Sequence, residues 1–327
     1  MSGSESTRKV IVRAYGAPET LKVEEIQERL MLGASELLVQ VEAAGVNYLD
    51  VSQRQGQGGL PLPFTPGLEG VGRIRAVGTG VEGLSAGQRV AWIDVRGSYA
   101  NRLVIPAARV VVVPDALQFQ QGLIFQALTA QYLMNEYRQV KPSDRVLVHS
   151  AAGGVGGLLV QWLKHLGAWV VGTVSSSAKA ERVRVAGADE IIDYGHDYQF
   201  LDEVLRLTGG HGVDLAFDAV GQATLPNTLQ ALARGGTAVS YGGASGPAAP
   251  VAPGSLIVKG LRLAGGSVFS YTAEPAELQR RATEVFSALD AGWLHLDDAA
   301  AFPLDRAADA HRAIEGRGTQ GKLYLTP

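Results

Sequence analysis

The chain comprises 327 residues with a formal net charge of −3, 46% hydrophobic and 19% charged residues, 41 glycines and no cysteine. That length accommodates two domains with sizeable cores, and the missing thiols exclude disulfides, cysteine nucleophiles and thiolate-bound zinc together. The slight acidity argues against nucleic acid or an anionic membrane as a partner, and no apolar run is long enough to span a bilayer. Residues 1–7 are small and polar without the apolar core of a signal peptide, so a soluble cytoplasmic protein acting on a small molecule is expected.

In chain order, the segment from Arg8 to about Val113 has β character. Short apolar runs at 10–14, 37–44, 70–77, 89–93 and 108–113 alternate with Gly- and Pro-containing turns, which predicts a compact, partly closed barrel. The longest irregular stretch, 53–68, reads as the kind of loop that lines a site. A helix is predicted over about 118–139, broken by Lys141-Pro-Ser-Asp144.

Arg145 to His149 then reads as a buried strand and Ser150 to Gly154 as a tight turn. Val155, Leu158, Leu159, Trp162, Leu163 and Leu166 share one face of a helix that Gly167 ends, and 168–174 resumes as a strand. The turn carries Ala151-x-Gly153-x-x-Gly156, a dinucleotide fingerprint with Ala in place of the first Gly. Gly153 admits a pyrophosphate to the backbone, Gly156 lets the helix sit close on the strand, and the free N–H groups at the helix start face the phosphates. Ala152, Gly153, Gly154, Val155 and Gly156 are the candidate contacts. Beyond Val174, predicted helices at 178–186, 198–207 and 223–233 alternate with strands at 190–194, 213–219 and 237–241, with 261–263 a further short strand. That alternation predicts a parallel sheet covered on both faces. A loop at 242–254, a helix at 275–291 and a β-like end at 321–327 complete the chain.

The end of the second strand separates NAD from NADP, because a carboxylate there binds the ribose 2′-hydroxyl and repels a 2′-phosphate. Here the position reads Thr173-Val-Ser-Ser-Ser-Ala-Lys179, with hydroxyls and a cation and no acid, which favours NADPH. A helix cap at Ser177 beside a solvated Lys179 is the alternative reading. The six histidines are scattered and read as structural or surface residues.

These features together resemble the zinc-independent medium-chain dehydrogenase/reductase family, in its quinone oxidoreductase (ζ-crystallin-like) branch. The resemblance is carried by Ala44-Gly-Val-Asn-Tyr-Leu-Asp50 with Arg54, Pro66-Gly-Leu-Glu-Gly-Val-Gly72, Gly87-Gln-Arg-Val90, Leu128-Thr-Ala-Gln-Tyr132, Ala151-Ala-Gly-Gly-Val-Gly156, Phe217-Asp-Ala-Val-Gly221 and Arg317-Gly-Thr-Gln-Gly-Lys322. The family's zinc enzymes carry Gly-His-Glu where this chain has Gly67-Leu-Glu69, and they use cysteine ligands. The resemblance therefore implies no metal. It implies an α/β fold, with a Rossmann-type doubly wound parallel sheet domain at about 126–262 inserted into a GroES-like β-rich domain formed by 1–125 and 263–327.

Carried over position by position, it places Asn47 near the nicotinamide ribose and the substrate, and Thr129 near the carboxamide. Lys179, Tyr194 and Arg317 surround the adenosine 2′-phosphate with Ser175 and Ser176 as hydroxyl partners, and Thr173 is a further cofactor contact. Val220 and Gly221 approach the adenine-side ribose and pyrophosphate, Tyr241 and Gly242 at the end of the fifth strand are further cofactor contacts, and Ser267, Val268 and Phe269 lie at the nicotinamide. Plainer readings stand beside these: a turn for Asn47, a helix N-cap for Asp50, an ion pair for Arg54 instead of a substrate contact, and sheet-edge packing for Tyr194.

Without a Lewis acid, a quinone or an alkene conjugated to a carbonyl accepts hydride more readily than a plain carbonyl. The expected activity is therefore NADPH-dependent quinone reduction, with enone or enal reduction as the alternative. A crystallin-like NADPH-binding protein without important turnover is a third reading. Tyr48 is the candidate proton donor, with water as its rival. The branch also implies a homodimer, for which the apolar segment Val251 to Leu263 suits an edge-strand partner.

Overall fold

The computed structural model describes residues 5–195, 197–296, 299–316 and 321–327. The chain divides into two units: Met1–Phe125, Thr272–Ala291 and Leu296–Pro327 form unit 1, and Gln126–Tyr271 with Gly292–His295 form unit 2.

Unit 1 begins with β1 (Glu5–Val12) and β2 (Leu21–Glu28), an antiparallel pair in the register Val10↔Val23. β3 (Glu36–Val46) follows, then the short helix α1 (Tyr48–Arg54) and the strands β4 (Glu69–Val77), β5 (Arg89–Ile93), β6 (Arg102–Pro106) and β7 (Val110–Val112). β3 alternates inward Leu37, Val39 and Val41 with less buried Leu38, Gln40 and Glu42, as a sheet with one buried face requires. It is the central strand, paired with β4 on one side and with β6 on the other near its start. β2 has no continuous apolar run: Lys22, Glu24 and Glu25 stand among Leu21, Val23 and Ile26, and only Leu21 is buried. β6 carries the short apolar run Leu103-Val104-Ile105 between Arg102 and Pro106.

Unit 2 opens with α2 (Phe125–Glu136), whose first residue closes unit 1. The predicted helix over 118–139 is therefore shorter at both ends. Phe119–Gly122 is instead a separate 3-10 turn, and Gly122 lies so close to Val71 that a Cβ there would come within 2.7 Å of its Cγ2.

The next elements alternate strictly: β8 (Arg145–Val148), α3 (Gly154–His165), β9 (Trp169–Val174), α4 (Ala180–Val185), β10 (Glu190–Asp193), α5 (Leu201–Leu207), β11 (Val213–Asp218), α6 (Leu225–Ala231) and β12 (Leu232–Ser240). After α7 (Gly254–Ile257) come β13 (Arg262–Gly265) and α8 (Val268–Tyr271). The strands form one parallel sheet in the order β10-β9-β8-β11-β12-β13. Chain direction across the sheet reverses between β8 and β11, so the switch point lies where the glycine turn leaves β8.

The return to unit 1 falls at Thr272, later than the expected 263. β13 is the sixth strand of the parallel sheet, and Tyr271 stacks on Tyr132 of α2 at 4.9 Å, so this segment stays with unit 2. Back in unit 1, α9 (Pro275–Asp290) turns Leu278, Ala282, Val285 and Phe286 inward. β14 (Ala300–Pro303), α10 (Ala307–Glu315) and β15 (Leu323–Thr326) finish the chain. β15 pairs antiparallel with β3 through Leu323↔Val46, which brings the chain end beside Asn47.

Candidate cofactor and acceptor sites

In unit 2 the expected cofactor residues gather at the C-terminal edge of the parallel sheet. The turn after β8 is tight: Ser150 has φ 53°, and the Gly153 N–H donates to the Ser150 carbonyl at 2.8 Å. A Cβ at Gly156 would overlap that same carbonyl, so the absent side chain is what lets α3 sit on the strand end. Gly153 is the N-cap of α3 and offers no side chain to its first-turn N–H groups. They are available to an anion, where the helix dipole also favours negative charge.

Beyond β9, the exposed Ser175 accepts a 3.1 Å hydrogen bond from Lys179 Nζ, and Ser176 caps a 3-10 turn. Tyr194 follows β10. Its N–H donates to the Val174 carbonyl at 3.1 Å and its ring tilts over Tyr198 at 4.8 Å, so it stands beside the serine strand end. Ser175, Ser176, Lys179 and Tyr194 are thus on adjacent strand ends. Arg317 lies outside the described residues.

Thr173 requires a correction. It is fully buried, and its hydroxyl is 3.0 Å from His149 Nδ1, so its side chain faces the sheet interior and not the nucleotide.

The turn after β11 is shaped by the fully buried Asp218. Its Oδ1 accepts the N–H groups of Val220 at 2.8 Å and Gly221 at 2.9 Å. Gly221 adopts φ 85°, a left-handed conformation that favours glycine. The Tyr241 N–H donates to the Asp218 carbonyl at 3.0 Å, and a Cβ at Gly242 would come within 2.7 Å of the Ala219 carbonyl, so the two turns are pressed together. At β13, Ser267 is exposed and Val268 buried. The Tyr132 hydroxyl holds the adjoining Gly266 carbonyl at 2.9 Å. Thr129, on the same helix as Tyr132, is buried.

In unit 1 the expected residues lie on and around α1. Asn47 is its N-cap, and its N–H donates to the Asp50 carboxylate at 2.8 Å. Asp50 is therefore the third residue of the helix closing a capping box, not the cap itself. The Asn47 amide is held on both sides: Nδ2 donates to Glu69 Oε2 at 3.0 Å, and Oδ1 accepts from Lys322 Nζ at 2.9 Å. Lys322 also pairs directly with Glu69, whose other oxygen accepts the Phe125 N–H at 2.8 Å. Gly45 stands under this pair, and a Cβ there would overlap Glu69 Oε2. Asn47 is 6% exposed, with one amide N–H beyond these bonds. Tyr48 is 51% exposed and is the accessible hydroxyl at the start of α1.

Arg54, expected as a substrate contact, has no exposed surface and makes a 2.6 Å ion pair with Glu315 of α10. It ties α1 to α10 instead. Below it, the Tyr99 hydroxyl lies 3.1 Å from His311 Nε2 and 3.4 Å from Asp50 Oδ2. Burial pushes Asp50 up to about 7, and burial, with the Arg54 charge, pulls His311 down to about 3. The Glu69–Lys322 pair was not anticipated, whereas the ion pair of Arg54 is the plainer of its two readings, with a partner that the sequence did not name. The only sequence signal was that Asn47, Glu69 and Lys322 all fall in motifs already singled out.

The donor set for zinc is incomplete. The position before Glu69 is the buried Leu68, there is no cysteine, and among the described residues no three His, Asp or Glu side chains cluster to hold a metal.

A six-stranded parallel sheet with a glycine turn at its switch point defines a dinucleotide-binding protein. Residues 154–286 match the family model of the zinc-binding dehydrogenases, and 33–115 that of the alcohol dehydrogenase GroES-like domain. The chain is 36% identical to a 2-haloacrylate reductase of Burkholderia sp, over 97% of its own length and 98% of that protein's. It is also 36% identical to a quinone oxidoreductase of Pseudomonas aeruginosa, over 98% and 99%. Among solved structures, Escherichia coli quinone oxidoreductase complexed with NADPH superposes with a TM-score of 0.92 at 33% identity, covering 98% of this chain and 100% of that one. The chain belongs to the medium-chain dehydrogenase/reductase family, in its quinone oxidoreductase branch. It is an NADPH-dependent oxidoreductase built from a GroES-like domain and a Rossmann-type domain.

Proposed function

We propose that this enzyme reduces a quinone-type acceptor by hydride transfer from NADPH and does so without zinc. The observation that carries the zinc-free reading is the Asn47–Glu69–Lys322 cluster. The carboxylate that adjoins a metal ligand in the family's zinc enzymes is here bonded to an ammonium group, with Leu68 beside it. NADPH, when bound, supplies the hydride. Lys179, Ser175 and Ser176 hold the 2′-phosphate by charge-assisted hydrogen bonds, and the α3 N-terminus holds the pyrophosphate. Asn47 orients the nicotinamide ribose from a fixed position, because both amide atoms are already anchored. The Tyr48 hydroxyl gives a proton to the reduced acceptor.

An uncharged acceptor is favoured. The cations attached to the α1 region, Arg54 and Lys322, are each neutralised by a carboxylate, so neither is spare for an acceptor's own carboxylate. Reduction of an uncharged enone or enal is the second reading, supported by the similarity to a reductase of an activated alkene. A homodimer is proposed through the β13 side of unit 2, where Ile257 and Val258 are 75% and 78% exposed beside the end strand of the sheet. Cytoplasmic location is part of the same proposal; among the described residues no helix is long and apolar enough to cross a membrane.

The test is NADPH oxidation with matched acceptors: a benzoquinone, an enone, an enal and a 2-haloacrylate, each with and without a chelator. Turnover of quinone, unaffected by chelation, is expected. Turnover confined to the haloacrylate would refute the uncharged-acceptor reading, and loss of activity on chelation would refute the zinc-free one.

A further inference from the structure

Beneath the cofactor edge of unit 2 lies a chain of fully buried polar side chains that the hydride-transfer reading does not use. His149 directly follows β8 and has no exposed surface; neither have Thr173 on β9, Asp218 on β11, or Thr224 and Thr228 beside and within α6. The ring touches a hydroxyl at each nitrogen, with Nδ1 3.0 Å from Thr173 Oγ1 and Nε2 2.9 Å from Thr228 Oγ1.

Proton accounting fixes the tautomer. Thr228 Oγ1 lies 3.1 Å from Asp218 Oδ2 and 2.9 Å from the Thr224 carbonyl, two groups that can only accept. The Thr224 carbonyl already accepts the Thr228 N–H at 2.9 Å, so the single hydroxyl proton goes to the carboxylate and the oxygen accepts from His149. Nε2 then carries the hydrogen, Nδ1 is bare, and the Thr173 hydroxyl donates to it. The imidazole is neutral, in line with burial holding it down to about 4. Asp218 is satisfied by neutral donors: the Val220 and Gly221 N–H groups and the Thr224 hydroxyl at 2.8 Å to each oxygen.

We propose that His149, as the Nε2-protonated neutral tautomer, is a positioning residue for NADPH. It joins the end of β9, which leads into Ser175 and Lys179, to the Asp218 carboxylate that shapes the Val220–Gly221 turn. One ring thus sets the spacing of two nucleotide-facing turns that are otherwise on separate strands. The inference rests on the assignment of those turns to the cofactor. Burial alone requires both ring nitrogens to be bonded; what distinguishes His149 is that its two partners, Thr173 and Thr228, lie on the elements that adjoin the two turns.

The experiment uses the full-length enzyme. Thr228→Val keeps the side-chain volume and cuts the link between ring and carboxylate; Thr228→Ser restores the hydroxyl. NADPH affinity is read by cofactor fluorescence, independent of any acceptor. Thr228→Val removes both hydrogen bonds of that hydroxyl and is expected to weaken NADPH binding about tenfold, with kcat at saturating NADPH changed less than about twofold and Thr228→Ser close to wild type. Histidine 15N spectra of the wild type should show His149 with the proton on Nε2 and no titration across roughly pH 5.5–8. An Nδ1-protonated ring, or unchanged NADPH affinity in Thr228→Val, would overturn the proposal. Lys179→Ala separates the two assumptions. If it leaves NADPH affinity intact while Thr228→Val lowers it, the placing of the 2′-phosphate is wrong and the His149 link stands.

Discussion

Replacing Lys322 with Met tests the cluster on which the zinc-free reading depends. Glu69 has no exposed surface and accepts from three donors, the Phe125 N–H, the Asn47 amide and the Lys322 ammonium. Met fills much the same volume but removes the only positive charge among them. Breaking a buried pair in this way leaves an uncompensated charge and costs about 3–5 kcal/mol. At about 2–4 °C per kcal/mol for a unit of this size, thermal unfolding should fall by about 6–20 °C. The double variant Lys322→Met/Glu69→Gln removes both charges and leaves an amide that still accepts the Phe125 N–H. It should recover at least about 2 kcal/mol of the loss, a coupling typical of groups in one buried network. Urea titrations of wild type, both single variants and the double variant give the cycle directly. Additive losses, or a single-variant cost below about 1 kcal/mol, would mean that the carboxylate is not held by the lysine.

Other outcomes follow from the same geometry. Asp50, ordinarily near 3.8, is raised to about 7, so its contribution is full below its unfolded value and is lost as pH rises through 7. His311 and His149, ordinarily near 6.5, are lowered to about 3 and about 4, so their contributions are present above 6.5 and lost as pH falls. Between about pH 4.5 and 6.5 unfolding then takes up one net proton, and stability should fall by about 1.4 kcal/mol per unit of acidification. Asp50→Asn should roughly double that slope in urea titrations at successive pH values; an unchanged slope would contradict the buried-acid account. Lys179→Ala should lower the NADPH/NADH preference in kcat/KM about tenfold or more, by removing a charge-assisted bond to the 2′-phosphate, and an unchanged ratio would remove that lysine from the site. Tyr48→Phe should reduce kcat about a hundredfold with little change in NADPH affinity, as loss of a general acid does; a normal kcat would assign the proton to water.

Much of unit 2 was legible residue by residue because its strands are buried on both faces and read as continuous apolar runs between glycine and helix signals. β8, α3 and β9 stand within a residue or two of where the pattern puts them. Unit 1 was less legible where one face of a strand meets solvent. β2 carries Lys22, Glu24 and Glu25 among its apolar residues, and no run announces it. The assignments that failed concern side-chain direction. Thr173 has the right place on its strand, but alternation turns its hydroxyl inward to His149. Arg54 falls on α1 beside the site, but α10, far along the chain, brings Glu315 to it. A motif records which residue types are present. It does not record the partner that the fold delivers from elsewhere.

Gly45 shows what that means for anyone altering this enzyme. Any side chain at that position would run into Glu69, whose carboxylate is in turn committed to Lys322 and Asn47. Positions 45, 47, 69 and 322 therefore form a single unit of variation, and libraries that randomise one of them alone would return chiefly destabilised clones. Diversity aimed at a new acceptor is better spent on Leu62, exposed in the loop beyond α1, which can change without passing the strain on to a buried charge.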